Sequence, residues 1–163
     1  GEPGPKPDSS TLALTESVCM SDHVGGQAVL TEMNESGVRL PLDDFGTGHS
    51  SLAYLRRFPY DTLKIDRSFV MDLPNDAEGV TVVEAVVGLA HSLGKSVTAE
   101  GVETLEQCAF LRGLGCDSIQ GFLVSRPVPA TEFEALLVET SPGDGCWACP
   151  GAAAPSVPSE GAR

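Results

Sequence analysis

Short apolar runs that end on acidic or amide residues alternate with helical stretches that stop on glycine, and this alternation limits the fold more than any other feature of the chain. Runs at 12–15, 38–45, 62–66, 96–99 and 118–123 read as strands. Between them, helices are predicted over much of 21–36, stopped at Gly37, and through Leu52, Leu55 and Arg56, capped by Ser50 or Ser51 and ended before Pro59. Val82, Val86, Leu89 and Leu93 form a helical stripe that stops at Gly94. Leu105, Cys108 and Leu111 mark the next helix, closed by Gly113 and Gly115, and 132–139 reads as a last one. Strands joined by crossovers this short lie parallel, in a sheet that is either open or closed into a barrel. Periodicity does not choose between the two.

Composition shifts at both ends. Residues 1–10 and 140–163 are rich in Pro, Gly, Ala and Ser without periodicity and read as a disordered lead and tail, leaving 11–139 as the ordered domain. The formal charge of −13 excludes wrapping of a nucleic-acid polymer, which needs clustered Lys and Arg. It does not exclude a small phosphorylated ligand, because divalent metals can stand between acidic side chains and phosphate. No apolar run is long enough to span a bilayer and no leader pattern is visible, so a cytoplasmic location is the expectation. The five cysteines show no disulfide framework; Cys108 and Cys116 read as small core residues. The lone pair Cys146 and Cys149, in the tail with no His nearby, does not read as a metal site.

The polar residues follow the strands. Glu16, Asp43-Asp44, Lys64, Asp66, Glu100, Glu103 and Gln120 all fall at or just beyond strand ends. In a parallel sheet those ends share one face. Adjacent strand residues point to opposite faces, so Asp43 and Asp44 reach one site only if the strand ends there, with Gly46 and Gly48 turning the chain. Gathered carboxylates repel unless they share protons or cations. Oxygen donors of this kind favour Mg²⁺ or Mn²⁺, and two such ions polarise a phosphodiester and acidify a water. Lys64 adds positive charge beside the phosphate or the water. The residues thus point to metal-dependent phosphoester chemistry.

LTES (14–17), LDDFGTGHSSL (42–52), LKIDRSFV (63–70), AEGVET (99–104) and IQGFLVSRP (119–127) resemble, in order and spacing, the later motifs of EAL domains. The resemblance runs from about residue 12 to 137. It implies the later half of a (β/α)₈ TIM-type barrel and a family reaction, hydrolysis of cyclic di-GMP to linear pGpG with two Mg²⁺ or Mn²⁺ ions. Carried over by position, it implies that Asp43 and Asp44 bind the metals and that Lys64 contacts the catalytic water. Glu100 is similar to the family's essential glutamate and Gln120 to its water- or metal-site glutamine. Glu16 resembles the acid that steadies the loop after the Asp-Asp pair, with Asp66 and Glu103 in supporting positions. His49, where a Tyr is common, reads as a surface residue.

Two departures bear on activity. Where the family has a metal-binding Glu, in the pattern Glu-x-Thr-Glu, this chain has Ala13, which offers no donor. The Glu-Ala-Leu signature and the asparagine-bearing strand after it are not found ahead of LTES, where the family pattern has them; the only Glu-Ala-Leu is at 134–136, in the last predicted helix. A whole barrel of this type takes about 250 residues. Activity alone is therefore expected to be weak or absent. A half-barrel is expected to expose an apolar interior and two strand edges, with a second copy or the earlier half-barrel as partner. Three readings stay open: part of an EAL phosphodiesterase, an inactive module that binds cyclic di-GMP or another protein, or a non-functional gene fragment.

Overall fold

The computed structural model describes residues 10–15, 26–46, 55 and 58–132. Five strands form one sheet: β1 (Leu14–Thr15), β2 (Pro41–Phe45), β3 (Thr62–Ile65), β4 (Ser96–Ala99) and β5 (Ser118–Ile119). Every neighbouring pair is parallel, and the spatial order is the chain order. Among the described residues the strands are interleaved with α1 (Gly26–Glu35), α2 (Arg67–Val70), α3 (Ala77–Ser92) and α4 (Leu105–Gly113). An open doubly wound sheet reverses its strand order at a switch point. No reversal occurs here, and crossovers of a single hand place their helices on a single face, as in an arc of a barrel.

Side-chain alternation settles which face is covered. Leu63, Ile65, Val97 and Ala99 are no more than 1% exposed, whereas Thr62, Lys64 and Thr98 are only partly buried and Ser96 is exposed. The first set packs under the helices with Leu40, Leu42, Val70, Val83, Val102, Cys108 and Leu111. The opposite face carries cross-strand hydroxyl pairs, Thr62 Oγ1 with Ser96 Oγ at 2.8 Å and Thr98 Oγ1 with Ser118 Oγ at 2.6 Å. The apolar interior expected on the open face is therefore not found on the described strands. Among the described residues, the exposed large apolar ones (Leu12, Val29, Met71, Leu105, Phe122 and Val124) all lie outside β1 to β5.

Several boundaries move, each for a local reason. The long helix buries Gly79, Val83, Val86, Val87 and Ala90, so its inner stripe is rotated from the expected one and Val82, Leu89 and Leu93 flank it. Asp76 starts this helix by accepting from the Glu78 and Gly79 amides. The second strand begins at Pro41 rather than at 38, with Arg39 held by an isolated bridge to Thr11. The fifth strand ends at Ile119 rather than at 123, because Val102 N–H donates to Gln120 O and Leu123 N–H to Val102 O, folding the chain back. Leu105, expected on the buried stripe of α4, is exposed; Cys108 and Leu111 are buried as expected, and Gln107 joins them. Cys108 is disulfide-bonded, a link that nothing in its spacing signals, and Cys116 is a buried free thiol. Glu16, the helix around Ser50 apart from the buried Leu55, and nearly all of 132–139 lie outside the described residues.

Asp66 does not end the third strand. It caps α2, accepting from Ser68 N–H at 2.9 Å and from Ser68 Oγ–H at 2.5 Å. The Ser68 hydroxyl, then its amide, hold the carboxyl below its ordinary value. A depressed carboxylate stabilises the fold above its unfolded value of about 4 and loses that contribution as pH falls through the lower folded value. Asp66→Ala is expected to cost about 1 kcal/mol at pH 7 in urea melts, with the difference from wild type shrinking toward pH 2.

Candidate metal centre

β2 and β3 do not pair residue for residue. Leu42 pairs with Leu63 and Phe45 with Ile65, so Asp43 and Asp44 together face the single residue Lys64. This is a β-bulge, a device that re-aims side chains beside active sites. Asp44 sits at φ +57, in the left-handed region that Asp tolerates better than most residues. A non-glycine residue held there costs of order 1–3 kcal/mol. The strand therefore continues to Phe45 and the bulge turns both acids to one site, which corrects the expectation that the strand must end at the pair. Gly46, at φ +97, then makes the turn; a Cβ on it would stand 2.9 Å from the Phe69 ring of α2.

Glu100 arrives from the end of β4, where its N–H donates to Ile65 O at 3.1 Å. Asp43, Asp44 and Glu100 each bring a carboxylate oxygen into a group whose atoms lie within 4.8 Å of one another. Lys64 stands among them, donating to Asp43 Oδ1 at 2.9 Å and paired with Glu100 Oε1. Its side chain is 16% exposed, Asp43's 23% and Glu100's 18%, so these charges are well shielded from water. Burial pulls the Lys64 pKa down, but the hydrogen bonds it donates to Glu100 and then Asp43, with their charges, outweigh it and the net shift is upward. Lys64 therefore stays a cation at neutral pH, suited to placing charge and donating rather than to taking a proton. At formal charges, three carboxylates and one ammonium sum to −3 + 1 = −2, which a divalent cation balances. Hard oxygen donors at this spacing fit Mg²⁺ or Mn²⁺.

The remaining expected site residues divide. Gln120 follows β5 and lines, with Lys64, Thr62 and Thr98, a cleft of about 200 Å³ on the open face. Asp66 is engaged in its cap on α2. Glu103 lies outside the cluster and accepts from the Arg67 guanidinium at 2.8 Å, both side chains being largely exposed. Glu16 is outside the described residues. Arg67 and Gln107, which bind the loop that follows Glu100, escaped the sequence reading. The spacing Thr104-x-x-Gln107 signals Gln107, because it is a capping box.

Comparison with known proteins agrees with this geometry. The EAL domain family matches residues 2–127. The chain is 45% identical over 130 residues to the bifunctional diguanylate cyclase/cyclic di-GMP phosphodiesterase MucR of Pseudomonas aeruginosa, covering 80% of this chain and 19% of that protein. It is 47% identical over 126 residues to the cyclic di-GMP phosphodiesterase NbdA of the same organism, covering 77% of this chain and 16% of the relative. The chain thus spans about a fifth or less of these relatives. The solved MucR phosphodiesterase in complex with cyclic di-GMP superposes with a TM-score of 0.74 at 44% identity, over 78% of this chain and 52% of that one. Klebsiella pneumoniae BlrP1, solved with manganese and cyclic di-GMP, gives a TM-score of 0.70 at 38% identity, over 76% of this chain and 32% of the other. EAL domains are TIM barrels, and the five parallel strands seen here are part of one. With the motifs, the sheet order and the carboxylate cluster in agreement, the chain belongs to the EAL domain family.

Proposed function

We propose that this chain carries part of the active site of a metal-dependent phosphodiesterase that hydrolyses cyclic di-GMP to pGpG. The observation that carries the reading is the grouping of Asp43, Asp44 and Glu100 around Lys64 at the carboxyl ends of parallel strands. A relative solved with manganese and cyclic di-GMP supports it. The three carboxylates would hold the cation, either Mg²⁺ or Mn²⁺. When bound, such an ion polarises the phosphodiester and lowers the pKa of a water. Lys64 would place a fixed positive charge beside the phosphate, and the Glu100 carboxylate, held at the end of β4, would help hold the cation or accept a proton. Gln120, which lines a cleft together with Lys64, would offer its amide to substrate or water. Glu16 and Glu103 support the flanking loops, and a second copy or a further part of the barrel completes the wall of the cleft.

A second reading is favoured by one residue. Ala13 lies one position before β1 and offers no oxygen where the family has a ligand. With a donor missing, Mg²⁺, which demands near-ideal octahedral geometry, is held loosely. The chain then binds cyclic di-GMP or a protein partner with little turnover. Purified chain incubated with cyclic di-GMP and Mn²⁺, with pGpG followed by chromatography, distinguishes the two. Slow product formation that Glu100→Gln abolishes supports the enzymatic reading. Calorimetric binding without product supports the second, and neither product nor binding contradicts both.

A further inference from the structure

Gln107 is buried, 4% exposed, and the cluster chemistry above gives it no part. Its amide is fully engaged. Oε1 accepts from Glu103 N–H at 2.8 Å and from Thr104 N–H at 3.0 Å. Nε2 donates to Val70 O at 3.1 Å and to Met71 O at 2.9 Å, at the carboxyl end of α2. One side chain thus ties the loop after Glu100 to the helix that follows Lys64.

The other end of α2 grips the same loop. The Arg67 stem lies where a Cβ on Gly101 would be, so only glycine fits, and Gly101 adopts φ +69. The Arg67 guanidinium reaches Glu103. The contacts close a ring from Arg67 through Gly101 and Glu103 to Gln107, and back through Val70 and Met71 along α2. Within it Glu100 is fixed by its own N–H on Ile65 O, and Val102, fully buried, by its N–H on Gln120 O. The exposed Arg67–Glu103 pair adds little by itself. The buried amide is the strong link, since its loss orphans two N–H and two C=O groups at once.

We infer that Gln107 is a positioning residue for the metal cluster, holding the 100–104 loop so that the Glu100 carboxylate stays within reach of Asp43 and Asp44. The inference rests on the metal-binding reading of that cluster. Outer contacts that orient a metal ligand are worth about 10- to 100-fold in affinity. Mn²⁺ affinity of the full chain is read by electron paramagnetic resonance of the free ion, for Gln107→Leu, Gln107→Glu and Val83→Ala. Val83, a fully buried residue of α3 that makes none of the hydrogen bonds holding the loop, serves as the stability control. Gln107→Leu is expected to weaken Mn²⁺ binding about tenfold. Gln107→Glu keeps an acceptor for Glu103 and Thr104 and is expected to weaken it less. Val83→Ala is expected to lower the melting temperature without changing affinity. Unchanged affinity in Gln107→Leu, or a loss that Val83→Ala reproduces at equal melting temperature, overturns the inference alone. Should Gln107→Leu not fold, the comparison of Gln107→Glu with Val83→Ala decides by the same criterion. No Mn²⁺ binding by wild type that Asp43→Asn removes overturns the metal reading and this inference together.

Discussion

Asp43→Asn weakens Mn²⁺ binding by about 100-fold, because it removes both a donor and a charge from a three-carboxylate group. With Asn at 43, Asp44 and Glu100 against Lys64 sum to −2 + 1 = −1, and the electrostatic match to a divalent ion is gone. The substitution is nearly isosteric, and the Asn amide oxygen can still accept from Lys64 Nζ, which stands 2.9 Å from Asp43 Oδ1 in the wild type. The fold should therefore survive, which circular dichroism and an unchanged melting profile would verify. Titration calorimetry with Mn²⁺ measures the loss directly. A variant that binds Mn²⁺ like wild type would show that the ion sits elsewhere.

Ala13→Glu is expected to change the same quantity in the opposite direction. The β1–β2 register pairs Leu14 with Leu42 and Thr15 with Asp43. Leu14 is buried under the helices, so by alternation Ala13 and Thr15 share the face that carries Asp43. Ala13 is exposed there, and a longer side chain meets no packed core. A fourth carboxylate on this face should tighten Mn²⁺ binding about tenfold, the lower bound for groups that shape a metal site. It should raise pGpG formation with it, since loose metal positioning is what limits turnover in this account. Tighter binding without faster turnover would mean that the limit lies in the rest of the cleft wall rather than at position 13.

Much of this was legible in the sequence. Strand–helix alternation and the positions of Asp43, Lys64 and Glu100 at strand ends follow from periodicity and from glycine stops, both local signals. Sequence alone could not show the bulge. Asp44 at φ +57 opposite Lys64 depends on how β2 pairs with β3, and pairing is a property of two segments rather than one. Asp66 was misplaced for a related reason: an acid after an apolar run ends a strand or caps a helix, and only the Ser68 contacts decide which. The polar open face was hidden because Thr62, Thr98 and Ser118 read as ordinary strand residues until the register sets them side by side. Gln107 was within reach of sequence reasoning as a capping box, but its bonds to Val70 and Met71 join segments 36 or more residues apart.

The central claim is that the bulge at Asp43-Asp44 and the end of β4 at Glu100 together form one metal site. Paramagnetic broadening by substoichiometric Mn²⁺ in amide spectra of the isotope-labelled chain tests it most directly. The signals of Leu42 to Gly46 and of Ala99 to Val102 are expected to disappear first and together, and to persist in Asp43→Asn. Broadening that begins at other acidic residues, or that spreads evenly over the chain, would contradict it.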